Sequence, residues 1–140
     1  MEKEIKIIVA DTNWWISLII KKFNNKFATI LSSPNLKFVT SEELTNEIRE
    51  TLSKERLQKN LDHETINRFW YQYEVIVTKI TVISSISICH DPDDNFLLAL
   101  AKDSNADFLI TGDNDLLAIG KFKNTIICSL TDFIEKYLTK

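Results

Sequence analysis

Acidic residues recur along this chain at places where strands should end and helices should begin. Asp11 follows the apolar run Ile5-Lys6-Ile7-Ile8-Val9-Ala10, and Asp113 closes the run Phe108-Leu109-Ile110-Thr111-Gly112. Asp93 and Asp94 open a segment introduced by Asp91-Pro92, and Glu47 stands one helical turn after Glu43. Carboxylates gathered in one place repel, raise one another's pKa values and destabilise a fold. A hard divalent cation reverses that effect, and magnesium takes oxygen ligands while keeping waters and meeting substrate phosphates. Zinc would ask for thiols or imidazoles, yet His63 and His90 stand alone and Cys89 and Cys128 form no CxxC pair. The chemistry suggested is the handling of phosphate esters with bound Mg2+ or Mn2+.

Each residue taken singly has a plainer reading. An aspartate after a strand is a common turn residue, Asp91 is a natural helix cap, and Asp93 fits a solvated position. Asp115 suits a helix cap as well as an outer ligand. Glu42, Glu43 and Glu50 fit a solvated helix face, Trp14 and Trp15 fit core and rim, and the two histidines fit surface or supporting roles. What gives weight is the joint order: strand-Asp-Thr-Asn, helix-Glu, Asp-Asp-Asn at a helix start, strand-Thr-Gly-Asp. Two choices stay open on spacing alone, Asp93 against Asp94 and Glu43 against Glu47.

The elements that must position these acids are legible in outline. Ile5–Ala10 is β-branched and apolar nearly throughout, as in a strand buried on both faces. Trp14–Ile20 reads as a buried helix, with a further helical stretch over 23–31, and Ser33-Pro34-Asn35 marks a turn before a strand over Leu36–Val39. Thr40-Ser41-Glu42-Glu43 has the form of a capping box with Thr40 as cap, so a helix should follow with Leu44, Ile48 and Leu52 on one face. A second amphipathic helix spans Asp62–Val77, and an edge strand is expected within Val82–Ile88. Asp91-Pro92-Asp93-Asp94 is the sharpest helix start, joining a cap, a proline at the first position and acids in the favourable field of the N-terminus. A strand over Asp107–Ile110, a short helix near Asn114–Ile119, a strand over Thr125–Ile127 and a helix over Ser129–Leu138 complete the chain. Alternating strands and helices imply right-handed crossovers and a parallel sheet covered on both faces. Such sheets bind ligands at the carboxyl ends of their strands. Asp11 and Asp113 should therefore share a rim; spacing alone leaves Asp94's helix start unplaced.

Composition frames this reading. The 140 residues, with 44% hydrophobic and 26% charged, suit one globular domain over 1–140. With two glycines and two prolines, no long flexible linker is expected. The cysteines are expected as buried, reduced thiols, as in a cytoplasmic protein. No apolar run is long enough to span a bilayer, and no signal peptide is expected. The net charge of −3 counts somewhat against a nucleic-acid partner, an objection that weakens if acids are gathered to hold a metal that meets phosphates itself.

The motifs as they stand resemble those of PIN-domain nucleases. Val9-Ala10-Asp11-Thr12-Asn13 is similar to the opening motif, and Thr40-Ser41-Glu42-Glu43-Leu44-Thr45-Asn46-Glu47-Ile48 to the second. The run Asp91-Pro92-Asp93-Asp94-Asn95-Phe96-Leu97-Leu98-Ala99-Leu100-Ala101 resembles the third, and Ala106-Asp107-Phe108-Leu109-Ile110-Thr111-Gly112-Asp113-Asn114-Asp115-Leu116-Leu117 the fourth. The likeness runs over nearly the whole chain in the right order, nearest to PIN proteins described as toxin components of toxin–antitoxin systems, the VapC-like ribonucleases. It implies an α/β, three-layer fold with a parallel five-stranded sheet and helices on both faces. It implies catalytic acids at Asp11, Glu47, Asp94 and Asp113, with Asp11, Asp94 and Asp113 holding Mg2+ or Mn2+. Asp94 is preferred to Asp93 because Leu97, Leu98 and Ala101 then fall at the family's helical spacing. Asn13 and Thr111 match supporting positions, and Asp115 joins them. The implied activity is metal-dependent endonucleolytic cleavage of RNA. An antitoxin protein and a second copy in a homodimer are the implied partners. Lys21, Lys22 and Lys26, and Lys54, Arg56 and Lys59, follow the first two motifs and are expected to flank the bound strand.

Rival readings fit less well. A haloacid-dehalogenase-like phosphatase wants an aspartate two residues after the first, where Asn13 stands. A receiver domain wants an acidic pair before the first strand's end and a lysine after the last strand, where Ser129 stands. A non-catalytic PIN-like interaction module would have no need of all four acids, whereas an RNA-processing nuclease without an antitoxin fits the same residues equally.

Overall fold

Lys6–Ala10 forms β1 at the centre of the molecule, and its last three residues are fully buried. The computed structural model describes residues 4–21 and 30–138. β1 is flanked on one side by β2 (Leu36–Thr40) and on the other by β4 (Phe108–Ile110), both parallel to it. Ile8 registers with Phe38 and with Phe108, so apolar side chains from three strands meet in one layer. β3 (Val77–Lys79) adds in parallel to β2, and β6 (Thr125–Cys128) in parallel to β4. The order is β3-β2-β1-β4-β6-β5. The five parallel strands match the expected sheet. The sixth, β5 (Lys121–Phe122), is a two-residue antiparallel edge strand that the sequence reading did not contain.

The helices that flank this sheet carry the expected signals with two shifts. α1 (Thr12–Ile20) buries Trp14, Trp15, Ile16, Leu18 and Ile19. Trp15 meets Phe38 of β2 edge-on at 5.8 Å and Tyr73 at 5.0 Å. The expected helix over 23–31 lies largely outside the described residues; of it, Ile30 is seen to be buried. α2 (Glu42–Lys59) buries Leu44, Ile48 and Leu52 as expected. Its cap is Ser41, whose Oγ accepts from the Leu44 N–H at 3.2 Å, not Thr40. Thr40 is still part of β2, and its hydroxyl is engaged with Tyr73.

α3 (His63–Ile76), capped by Asp62, buries Phe69 and Tyr73. The chain then passes directly into β3, so the edge strand is Val77–Lys79 and not within Val82–Ile88. The reason lies in Asp103: its carboxylate accepts from the N–H groups of Ile83 and Ser84 at 2.7 and 2.9 Å, donors that a strand would have used. Segment 80–88 is thus an irregular strap laid along α4 (Pro92–Ser104). Asn95 pins the strap's far end through both its amide groups to the Cys89 backbone. α5 (Asn114–Ile119) follows β4, and α6 (Leu130–Phe133), capped by Ser129, continues as a π-helical turn over Ile134–Leu138. Both cysteines are free; Cys128 is buried, but Cys89 is only half-buried. Among the described residues no helix is long and apolar enough to cross a membrane.

Candidate active site

Three helices begin at one rim of the sheet, and each places an acid there by its own N-terminal chemistry. Asp11 caps α1, its Oδ1 accepting from the Trp14 N–H at 2.8 Å. Asp113 caps α5, its Oδ1 accepting from the N–H groups of Asp115 and Leu116 at 2.8 and 3.2 Å. Asp91 caps α4, which sets Asp94 in the first turn of that helix. A helix that descends to the start of β4 must itself begin at the rim where β4 ends. That geometry puts Asp94 beside Asp113, the point that spacing left open.

Asp11, Glu47, Asp91, Asp93, Asp94 and Asp113 line one cleft of about 130 Å³, together with Thr12, Asn13, Thr51, Phe96 and Leu97. Thr111 ties two of the acids together. Its hydroxyl donates to Asp11 Oδ2 and accepts from the Asp113 N–H at 3.0 Å. Burial holds the Asp11 carboxyl above its ordinary range, against the pull of its hydrogen bonds from Thr111 and the Trp14 and Gly112 amides. Asp94 is 6% exposed. Burial, with Asp113, Asp91, Asp115 and Asp93 around it, pushes its carboxyl up to about 6.

Among the described residues, Asp94, Asp113 and Asp115 each offer a carboxylate oxygen, and these lie within 4.8 Å of one another. Asp115, read from the sequence as a supporting residue, thus stands in the trio where Asp11 was expected. Asp11 lies at the same cleft with both oxygens occupied by hydrogen bonds. Glu47 is the glutamate that reaches the cleft, whereas Glu43 lines two neighbouring ones. Asp93 also reaches it, in hydrogen-bond contact with Glu47. Burial first, and then the neighbouring acids, holds both carboxyls above their ordinary range.

Among the described lining residues the donors are carboxylates, amides and hydroxyls, with no thiol or imidazole. That is the oxygen-rich set a hard cation takes. An octahedral ion with oxygens at about 2.1 Å spans roughly 4.2 Å between opposite ligands, so a trio within 4.8 Å needs only small side-chain adjustment to close on one ion.

Asn13 and Asp11 also wall a second cleft on the other side of Asp11. Lys21 lines that second cleft. Lys54 is exposed and near enough to Glu47 to offset part of its upward shift. Lys22 and Lys26 lie outside the described residues, while Arg56 and Lys59 continue α2. The sequence reading missed the Glu47–Asp93 pair and the second cleft. The signal for the cleft was present: Asn13, Ser17 and Lys21 recur every four residues on a helix otherwise built of apolar side chains.

Fold and site define an α/β protein that gathers acids at the carboxyl edge of a mostly parallel sheet. The PIN domain family model matches residues 7–115, and the chain belongs to that family, whose members are generally nucleases. The uncharacterised protein MJ1680 of Methanocaldococcus jannaschii is 30% identical over 125 residues, covering 85% of this chain and 80% of its own length. Among solved structures the fold is similar to that of VapBC2 from Rickettsia felis, solved bound to a DNA fragment from its promoter. The TM-score is 0.57 at 15% identity, over 86% of this chain and 96% of that one. PAE2754 from Pyrobaculum aerophilum superposes with a TM-score of 0.56 at 18% identity, over 94% and 88% of the two chains.

Proposed function

We propose that this single-domain protein is a metal-dependent endoribonuclease, hydrolysing RNA phosphodiesters as the toxin of a toxin–antitoxin pair. One observation supports the reading above all: Asp11, Glu47, Asp94 and Asp113, from separate parts of the chain, wall one cleft at the carboxyl edge of the sheet. Asp94 and Asp113, with Asp115 or Asp11 completing the set, are the residues that would hold Mg2+ or Mn2+. A bound ion there supplies Lewis acidity at the phosphorus oxygens and a water of lowered pKa for in-line attack.

The chain's own side chains prepare that chemistry. Thr111 fixes the separation of Asp11 and Asp113 by bonding to both. Asn13, exposed at the mouth, stands where an incoming strand first meets the protein. Glu47 stands at the cleft's edge beside Asp93, and each raises the demand for a proton or cation there. Lys21 and Lys54 are the phosphate contacts among the described side chains, with Lys22, Lys26, Arg56 and Lys59 completing the expected set. The similarity of fold to a VapBC2 chain supports an antitoxin partner, whose peptide would cover the acidic rim; the reading also takes the protein to act as a homodimer in the cytoplasm.

The test is cleavage of a labelled RNA pool by purified protein. Cleavage should require Mg2+ or Mn2+, stop with EDTA, and disappear in Asp94→Asn while RNA affinity at saturating metal stays close to wild type. Cleavage that survives both EDTA and the substitution overturns the assignment. A chain that binds RNA but never cuts it is the non-catalytic interaction module instead.

A further inference from the structure

The two clefts that meet at Asp11 differ in charge. The acid cleft has six carboxylates and no basic residue among its described lining. The second, of about 300 Å³, has Asp11 as its one carboxylate among the described lining residues, with Lys21 and the hydroxyl residues Ser17, Thr111, Ser129 and Thr131. Trp14, Ile110 and Leu130 give it an apolar wall. α1 builds its near side: Asn13, Ser17 and Lys21 are spaced four residues apart and lie on one helix face, while Trp15, Ile16, Leu18 and Ile19 are buried. Asp11 and Asn13 belong to both clefts, so a chain lying in one passes directly into the other.

An anionic strand cannot leave a cation at the acid cleft by running on over further carboxylates. The Lys21 side joins a cation to four hydroxyl residues in one cleft, whereas Lys54, which acts on Glu47 from the other side, lines neither cleft. A larger hollow of about 520 Å³ beside β3 holds two cations, Arg49 and Lys79, but it shares no lining residue with the acid cleft. Its charges are also engaged: Arg49 bonds Asn46 at 3.0 Å and lies over the Trp70 ring, and Lys79 faces Glu74 at 3.9 Å.

From this contrast we infer that the Lys21 cleft is the subsite for the sugar–phosphate unit next to the scissile bond of a single-stranded nucleic acid. Lys21 takes the phosphate charge, and Ser17 and Thr131 donate to its free oxygens. The inference rests on the nuclease reading and adds to it a path for the strand. None of these three side chains presents a pattern matched to one base, so the subsite binds backbone without choosing sequence.

The experiment measures binding of a short fluorescent oligouridylate by anisotropy, without metal and across a salt series, so that it does not depend on turnover. Lys21→Glu should weaken binding by roughly tenfold or more, the scale of a lost charge-assisted hydrogen bond. Lys21→Ala should lower the salt slope by about 0.7, the value for one phosphate contact on a single strand. Thr131→Val should weaken binding less, with an unchanged slope. Lys102→Glu, the same charge change in the last turn of α4, should leave binding as it is. Equal loss in Lys21→Glu and Lys102→Glu, or no loss in Lys21→Glu, overturns the subsite; the nuclease reading then still stands if RNA is cut and Asp94→Asn stops it. Wild-type protein that neither binds nor cuts an oligonucleotide at any salt, with saturating Mg2+ or without it, overturns both.

Discussion

β1 and β2 lie side by side in the sheet, and their carboxyl ends are finished in opposite ways. At the end of β2 the Thr40 hydroxyl meets the Tyr73 hydroxyl at 2.6 Å, and Thr45 meets the same Tyr73 oxygen at 2.9 Å. All three residues are buried, and each hydroxyl has a partner. At the end of β1 stands Asp11, and across the cleft from it the buried Asp94, whose charged neighbours are other acids. A hydroxyl both donates and accepts, so hydroxyls can close a network among themselves. Ionised carboxylates only accept, so a cluster of them stays unsatisfied until a cation or proton arrives. The β2 end is closed by its own hydroxyls, whereas the β1 end leaves acids facing one another across a cleft.

Separating activity from stability is the strongest way to break this comparison. Asp94→Asn or Asp113→Asn should cost at least about a hundredfold in RNA cleavage, as loss of a metal ligand does. Tyr73→Phe should leave cleavage within about twofold, since Tyr73 is away from the cleft. Cleavage rates on one labelled RNA decide it, and equal losses at the two ends would show that they do not differ in role.

Stability should run the other way. Tyr73→Ala should cost about 3–5 kcal/mol by urea titration, as for other large buried aromatics. Tyr73→Phe should cost about 1–2 kcal/mol, because it removes the oxygen on which Thr40 and Thr45 converge. If Tyr73→Phe unfolds at the wild-type midpoint, the hydroxyl network is not what secures the β2 end.

A smaller effect of opposite sign is expected at Asp94. Its folded pKa of about 6 lies above the ordinary aspartate value of 3.8, so the folded state binds the proton more tightly than the unfolded one. Its favourable contribution is therefore complete below about pH 4 and is lost as pH rises through about 6. The cleft is open to water, which trims the loss to roughly 2 kcal/mol. Metal-free protein should melt progressively lower from pH 4 to pH 7, and Asp94→Asn should flatten that slope. Mg2+ should raise the wild-type melting temperature at pH 7 and do much less for the variant. The expectation is cleaner at Asp94 than at Asp11, where an asparagine would also disturb the cap of α1 and the bond from Thr111.

The smallest effect concerns Asp91. Serine caps a helix about as well as aspartate, so Asp91→Ser should change stability by no more than about 0.5 kcal/mol. It should nevertheless bring the Asp94 carboxyl down, because one of the surrounding charges is gone. NMR titration of Asp94 reads this directly; an unmoved titration would mean that Asp91 has no part in raising it and that burial and the remaining acids set it.

What the sequence determined by itself was local. Apolar runs placed β1, β2, β4 and β6, because burial on both faces leaves little choice of residue. Asp11, Asp91 and Asp113 were legible because a helix N-terminus rewards an acid within one turn, whatever lies elsewhere in the chain. Edge elements were not legible. The two residues of β5 carry too little pattern, and β3 was hidden in the tail of a helical period that ends where backbone bonding to β2 begins. Thr40 looked like a cap because Thr and Ser are interchangeable there; only Tyr73, arriving from 33 residues away, decides that Ser41 takes the role. The tertiary structure alone decided which acids meet. Asp94 joins Asp113 and Asp115, Glu47 meets Asp93, and Thr111 reaches back 100 residues to hold Asp11. Those pairings depend on where the helices return to the rim. That is fixed by the packing of the helices on the sheet, and no signal acting over a few residues records it.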